Sequence, residues 1–369
     1  MADNNVVSYV TDPISGATGI NANSIPEELI PKYWAKKTWK AGIKKSYFEK
    51  FIGNSSSSII QTVEDLRKSD GDSLTIPLRL PLSGAGRIGD DQLEGYEEAL
   101  QHRYCKVTFN QIRHASILEG RFMEKKVPLP LRQEMHEGLS DWQAEYFDRA
   151  WFSIFTGTQH PFIHSSADKF PFEIEAPSED RIVYAGGKSA ENEIAAEDKF
   201  STSLISKAKL KAMENENRCL RPVKVDKHDT YVMVIDPWQA RDLRQDPEWI
   251  EAQKYANLRG NENPIFSGAY GIWDGIVVHV TERVPRTKSG SGSGDSQVIV
   301  GHALLLGAQA GIFVEGEEPR WVEKKFDYDN QFGVSISGMC GMKKTRFQFD
   351  GENWTDFGCL NVLTASVNE

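Results

Sequence analysis

The chain has 369 residues, is 39% hydrophobic and carries a formal net charge of −10. That length buries a sizeable core and accommodates two domains, while the acidic surplus excludes a surface that coats nucleic acid over its whole extent. No apolar run approaches the ~20 residues of a membrane-spanning helix.

The first residues, Met1-Ala2-Asp3-Asn4-Asn5, lack the charged-then-apolar order of a secretory signal. Cys105, Cys219, Cys340 and Cys359 stand far apart with no CxxC pair. Neither a disulfide framework nor a zinc site is expected, and the thiols read as reduced in a cytoplasmic setting.

Residues 1–30 are polar and rich in Gly, Asn and Ser, the composition of an arm that is poorly ordered or depends on a partner. Residues 31–50 carry seven lysines against one glutamate, interleaved with Tyr33, Trp34, Trp39, Tyr47 and Phe48. Two readings stand here. The segment faces nucleic acid, or it is an amphipathic helix that packs Trp34, Ile43, Tyr47 and Phe51 on protein and keeps its lysines in water. The helical spacing of the aromatics favours the second, with Trp34, Trp39 and Tyr47 as contacts of the arm.

Leu74 to Leu82 alternates strictly, with Leu74, Ile76, Leu78, Leu80 and Leu82 on one face and Thr75, Pro77, Arg79 and Pro81 on the other. The two prolines restrict it to an edge strand or a thin two-stranded arm. A Gly- and acid-rich tip follows, and Cys105–Leu118 supplies the return strand. Such a hairpin is not stable alone, so the spacing predicts that it lies on another copy of the chain.

A helix is predicted from about Pro130 to Phe155. Pro128 and Pro130 stand at its start and Gly157 beyond its end. Leu131, Met135, Leu139, Trp142 and Tyr146 form its core stripe, continued by Ala150 and Ile154 and widened by Phe147, Trp151 and Phe155, on a rod roughly 40 Å long. Residues 158–200 hold three prolines and a Gly186-Gly187 pair, and from 158 to 198 nine acids face three Lys/Arg. This reads as an irregular acidic insertion. A helix over 198–214 follows, then a buried strand at Tyr231–Ile235. Asp236-Pro237 and Asp246-Pro247 each open a short helix, with an acid at the cap and Pro at the first helical position. Strands are expected near 271–280, 298–306, 332–336, 343–349 and 359–367, and a solvated Gly/Ser loop at 289–294. Strands and helices alternate without regular βαβ spacing, so the class is α+β.

Motifs for chemistry fail on inspection. Gly187-Lys188-Ser189 ends like a phosphate loop, but its first glycine would fall on Ile182. Asp327-Tyr328-Asp329 begins like a calcium loop, yet Gln331 and Phe332 occupy its fifth and sixth positions. His160 and His164 flank Pro161, and no Glu follows His160. No nucleophile, base and oxyanion set emerges, so no catalytic, cofactor or metal residue is assigned.

The succession of arm, hairpin, long helix and mixed remainder resembles the Hong Kong 97-type major capsid fold. The local wording is similar to the major capsid proteins of N-four-like tailed phages: GDSLTIPLRLPLSGAG, LEGYEEAL, VTFNQIRHA and LRQEMHEGLSDWQAEYFDR, then DPWQARDLRQDPEWIEAQ, NPIFSGAYGIWDGIVVH, ALLLGAQA and GMKKTRF. The resemblance implies an N-terminal arm over 1–54, an extended E-loop with adjoining strands over 55–125 and a P-domain spine helix over 126–157. It leaves 158–199 unmatched, gives 200–345 mainly to an axial A-domain, and returns 346–369 to the P-domain. It implies that Leu74, Ile76, Leu78, Arg79, Leu80, Leu93 and Tyr96 contact a neighbouring subunit. It further implies a structural protein, not an enzyme, that forms hexamers and pentamers of an icosahedral head around double-stranded DNA. Scaffolding, portal and decoration proteins would be partners, contact with packaged DNA would be weak and non-specific, and assembly would occur in the bacterial cytoplasm. A soluble enzyme and a nucleic-acid-binding module built on 31–50 are the competing classes; particle size separates them.

Overall fold

The computed structural model describes residues 29–63, 73–79, 89, 94, 97, 102–118, 120, 122, 131–159, 170–214, 220–225, 228–255, 269–293, 297–348 and 353–366. Helix α1 (Leu29–Lys45) leads through a 3-10 turn at Tyr47–Phe51 to β1 (Ile52–Gly53) and β2 (Ile60–Val63). The hairpin β3 (Ser73–Arg79) and β4 (His102–Thr108), strand β5 (Asn110–Ile117) and helix α2 (Leu131–Thr156) follow. Next come β6 (Ile182–Tyr184), α3 (Thr202–Met213), β7 (Val223–Val225), β8 (His228–Ile235), α4 (Pro237–Gln245) and α5 (Pro247–Tyr255). Strands complete the chain: β9 (Gly271–Trp273), β10 (Ile276–Val280), β11 (Arg286–Lys288), β12 (Ile299–Leu306), β13 (Gly311–Phe326), β14 (Gln331–Lys344), β15 (Arg346–Gln348), β16 (Trp354–Asp356) and β17 (Cys359–Ala365).

Two compact units result. One comprises Met1–Ser46, Gln111–Glu145 and Glu317–Met339; the other takes the rest. The larger unit is built on a mixed sheet of order β6-β17-β12-β8-β10-β9, with β7 and β11 attached at β8 and β12. Its central strands read Tyr-Val-Met-Val-Ile and Ala-Leu-Leu-Leu, continuous apolar runs that require cover on both faces. On one face Tyr231, Met233, Ile235 and Leu305 pack with Leu204, Ile205, Ala208, Leu243 and Trp249 from α3, α4 and α5. The Asp-Pro signal at 236–237 forms a capping box. Asp236 accepts from Trp238 N, and Gln239 Oε1 accepts from Asp236 N at 3.0 Å.

Residues 170–199 are part of this core. Strand β6 pairs in parallel with β17, Ile182 opposite Asn361, and Val183, Ala185, Ile194 and Phe200 are buried. Asp356, 1% exposed, fastens the segment: Ser178 N donates to its carboxylate at 3.1 Å, and Arg181 Nε donates to its backbone carbonyl at 3.0 Å. Lys344 Nζ lies 3.2 Å from the same carboxylate. The Gly/Ser stretch is likewise stitched down, Ser291 N donating to Ile194 O at 2.8 Å. Acidity and proline content conceal this because a three-residue strand carries no periodicity of its own.

Helix α2 stops where expected. Gly157 takes φ +71°, and a Cβ there would lie 2.7 Å from Glu175 O, so only glycine fits. Asn361 Nδ2 donates to Phe155 O at 3.2 Å, satisfying a last-turn carbonyl. Met135, Leu139, Ala150 and Ile154 of the expected stripe are buried, as are Phe147, Trp151 and Phe155 that widen it, but Trp142 and Tyr146 are half-buried and Gln143 takes a buried place. The row from Leu139 through Gln143, Phe147 and Trp151 to Phe155 is an i+4 ridge, which winds around the axis by about 40° per step and carries Trp142 and Tyr146 off the buried face. Accordingly, Trp151→Ala should cost about 3–5 kcal/mol and Trp142→Ala under about 2 kcal/mol in urea denaturation of the subunit. Equal losses would contradict this phase.

Candidate assembly surface

In the smaller unit α1 lies on α2. Trp39 is 6% exposed and packs where Gly338 leaves room; a Cβ there would meet its ring at 2.3 Å. Lys45 Nζ donates to Ser140 Oγ at 2.9 Å and to Asp141 Oδ1 at 2.6 Å. Lys37, Lys40 and Lys44 are exposed. Of the residues the amphipathic reading of 31–50 puts on the packed face, Phe51 is buried and Ile43 and Tyr47 are half-buried; Trp39 is also inside, and Lys50 is half-buried.

In the larger unit the turn after α1 docks on the second half of α2. The Phe48 ring lies 4.8 Å from Phe152 and 6.3 Å from Trp151, centroid to centroid. Asp148, fully buried, accepts from Tyr47 N at 2.9 Å and pairs with Arg283. Burial, reinforced by the Asp148 charge, pushes the Tyr47 phenol well above its usual range. Burial also lowers the Lys50 ammonium to about 8; it lies 3.1 Å from His279 Nδ1. Its folded value is below the ordinary one, so this group's contribution to stability rises as pH climbs through 8 toward 10.

The hairpin base differs from expectation. Leu74, Ile76 and Leu78 pack on Cys105, Val107, Ile312, Val314, Phe347 and Phe357 of their own chain. The alternation is real, but its apolar face meets the nearest apolar surface, which is intramolecular. Left outward are Thr75, Pro77, Lys106 and Tyr104, the last 63% exposed. Leu80, Leu93 and Tyr96, and the side chains of Trp34, Arg79 and Leu131, lie outside the described residues, as do residues 160–169 with His160 and His164.

In the smaller unit β13 and β14 form a ribbon whose tip is the Asp327-Tyr328-Asp329 stretch. All three residues take positive φ, and Tyr328 is fully exposed. Ile117, Val322 and Phe326 are also exposed, at 54%, 53% and 39%. Sequence reasoning missed these residues: β13 carries seven charged residues and a proline among its apolar ones, which masks its strand pattern. Among the described residues no group of three or more His, Cys, Asp or Glu could hold a metal ion. Asp198 fills the space over Gly186, against any anion at 187–189. Cys105, Cys340 and Cys359 are buried, and burial pushes the Cys340 thiol up to about 12, which makes it a poor nucleophile.

A two-stranded arm, a long helix and a mixed-sheet domain, with large apolar residues left exposed, define a shell subunit of the Hong Kong 97 type. The fold is similar to the capsid of Ralstonia phage GP4, with a TM-score of 0.79 and 29% identity over 88% of this chain and 92% of that one. It is also similar to the cyanophage Pam1 capsid, with a TM-score of 0.69 and 19% identity over 89% and 94% of the two chains. The major capsid protein of Pseudomonas phage KPP25 is 30% identical over 356 residues, 90% of this chain and 94% of that relative. A family model for phage capsid proteins matches residues 26–368. The chain belongs to the phage capsid protein family: it is a major capsid protein that builds the multi-subunit shell of a virion.

The anchor of the N-terminal segment yields a test. Asp148→Ala leaves Arg283 and two backbone N–H groups without their acceptor and should cost about 2–4 kcal/mol. Limited proteolysis should then open the chain near residues 46–51. Unchanged stability would contradict the role given to Asp148.

Proposed function

We propose that the subunit closes head-to-tail into hexamers and pentamers, and these into an icosahedral head around double-stranded DNA, with a purely structural role. The observation that carries this reading is the placement of exposed apolar residues. They sit on two-stranded elements, Tyr104 on the hairpin of the larger unit and Val322, Phe326 and Tyr328 on the ribbon of the smaller one. A projection that reaches a different patch on the next copy makes a heterologous contact, and such contacts close into rings. The exposed lysines of α1 supply a weak, salt-sensitive contact with packaged DNA, consistent with an acidic chain that must release its genome. Scaffolding, portal and decoration proteins complete the assembly, which takes place in the host cytoplasm.

Deleting Ser83–Gln101 should leave a folded subunit, because the hairpin base rests on its own chain, and should abolish closed shells. Light scattering and electron microscopy of the deletion next to the intact chain decide it. Normal shells from the deletion would defeat the reading of the arm as a joint between copies. In the same assay, Lys37, Lys40 and Lys44 changed together to Gln should leave shell yield unaltered and lower DNA retention only modestly. Loss of shells would show that these lysines carry assembly.

A further inference from the structure

Lys50, on the turn between α1 and β1, carries its amine into an aromatic corner of the larger unit. Its Nζ lies 4.5 Å from the centre of the Tyr47 ring and 5.0 Å from that of Phe51. It hydrogen-bonds Nδ1 of His279, on β10, at 3.1 Å. Phe51 stands edge-on to that imidazole at 5.5 Å, and both rings are buried. Lys50 itself is half-buried, so a small solute can reach the corner.

An ammonium has only protons to give, so Nδ1 is the acceptor and the imidazole proton stands on Nε2. Of the charged groups around the corner, Asp148 on α2 and Arg283 beyond β10 pair with each other, and Glu49 on the same turn is exposed. Two ring faces and a neutral imidazole replace water poorly, and burial accordingly lowers the Lys50 ammonium to about 8. A desolvated lysine beside a proton acceptor is an activated nucleophile. At pH 7.5 about a quarter of it is free amine, against about one part in a thousand for an ordinary lysine.

We propose that Lys50 is an acylation site that takes small activated acyl donors of the acyl phosphate class, with His279 as the proton acceptor. The lone pair on Nζ attacks the carbonyl carbon of the donor and forms the C–N bond. The bond from that carbon to the phosphate oxygen breaks, and the phosphate leaves with its electron pair. The surplus proton on nitrogen passes along the existing contact to Nδ1 and is handed from there to the departing phosphate. The product is a neutral amide and inorganic phosphate. Acylation thus removes a charge whose burial opposes the packing of the Tyr47–Phe51 turn. The site lies within one subunit and does not depend on how copies assemble.

The test treats the purified full-length chain with acetyl phosphate over a range of pH and follows each lysine by peptide mass analysis. Lys40 and Lys44, exposed on α1, serve as internal references. At pH 7.5 Lys50 should be acetylated about tenfold faster than either, since lower basicity gives back part of the gain in free amine. Its rate should level off above about pH 8.5, and its lead should vanish in concentrated urea. His279→Leu keeps the volume and removes the acceptor. At about pH 9, where the amine is already free, it should cut the ratio of Lys50 to Lys44 about fivefold. If that variant does not fold, the pH profile and the urea comparison of the unsubstituted chain decide alone. Equal rates at Lys50 and the references, a Lys50 rate still climbing at pH 10, the same lead in urea, or a folded His279→Leu chain with an unchanged ratio would overturn the proposal.

Discussion

Everything in this subunit depends on the aromatic packing around the second half of α2. Trp151, Phe152, Ile154 and Phe155 are all but completely buried. Phe48 comes to them from the N-terminal segment with Phe51 at its edge, Phe313 approaches Phe147 from β13 at 6.0 Å, and β17 reaches the helix through Asn361. Each large ring removes 150–250 Å² from water, so a few of them dominate the local energetics. Asp148 adds direction to a force that has none. As a buried acceptor it fixes where the chain turns after α1 and holds Arg283 beside it.

The arm rests on the Phe347–Phe357 cluster, and the ribbon holds its tip through three residues in the left-handed region. Such conformations are costly for non-glycine residues, and they persist where the surroundings or function require them. Here they present Tyr328 to solvent, which serves an isolated subunit badly and a shell well.

Local signals were legible in the sequence. The Asp236-Pro237 cap, the Gly157 stop and the Tyr231–Ile235 run depend on a few neighbouring residues and appear as expected. What needed three dimensions did not show. Gln143 is buried because its amide approaches Trp39 O and Gly42, so a polar residue takes a core position that periodicity gave to Trp142. Residues 182–184 are a strand only because β17 lies beside them. The apolar row of Leu74, Ile76 and Leu78 was visible, but its partner was not, since alternation identifies a buried face without saying whose surface covers it.

The central claim is that the core is complete within one chain and that assembly buries only the projections. Amide hydrogen exchange on unassembled subunits and on shells tests it most directly. Amides of 147–156 and 231–235 should be equally protected in both states, while those of 104–106, 113–117 and 322–329 should gain protection only in shells. If 147–156 exchanged rapidly in the free subunit and became protected on assembly, the core would be a product of the shell and the account would be wrong.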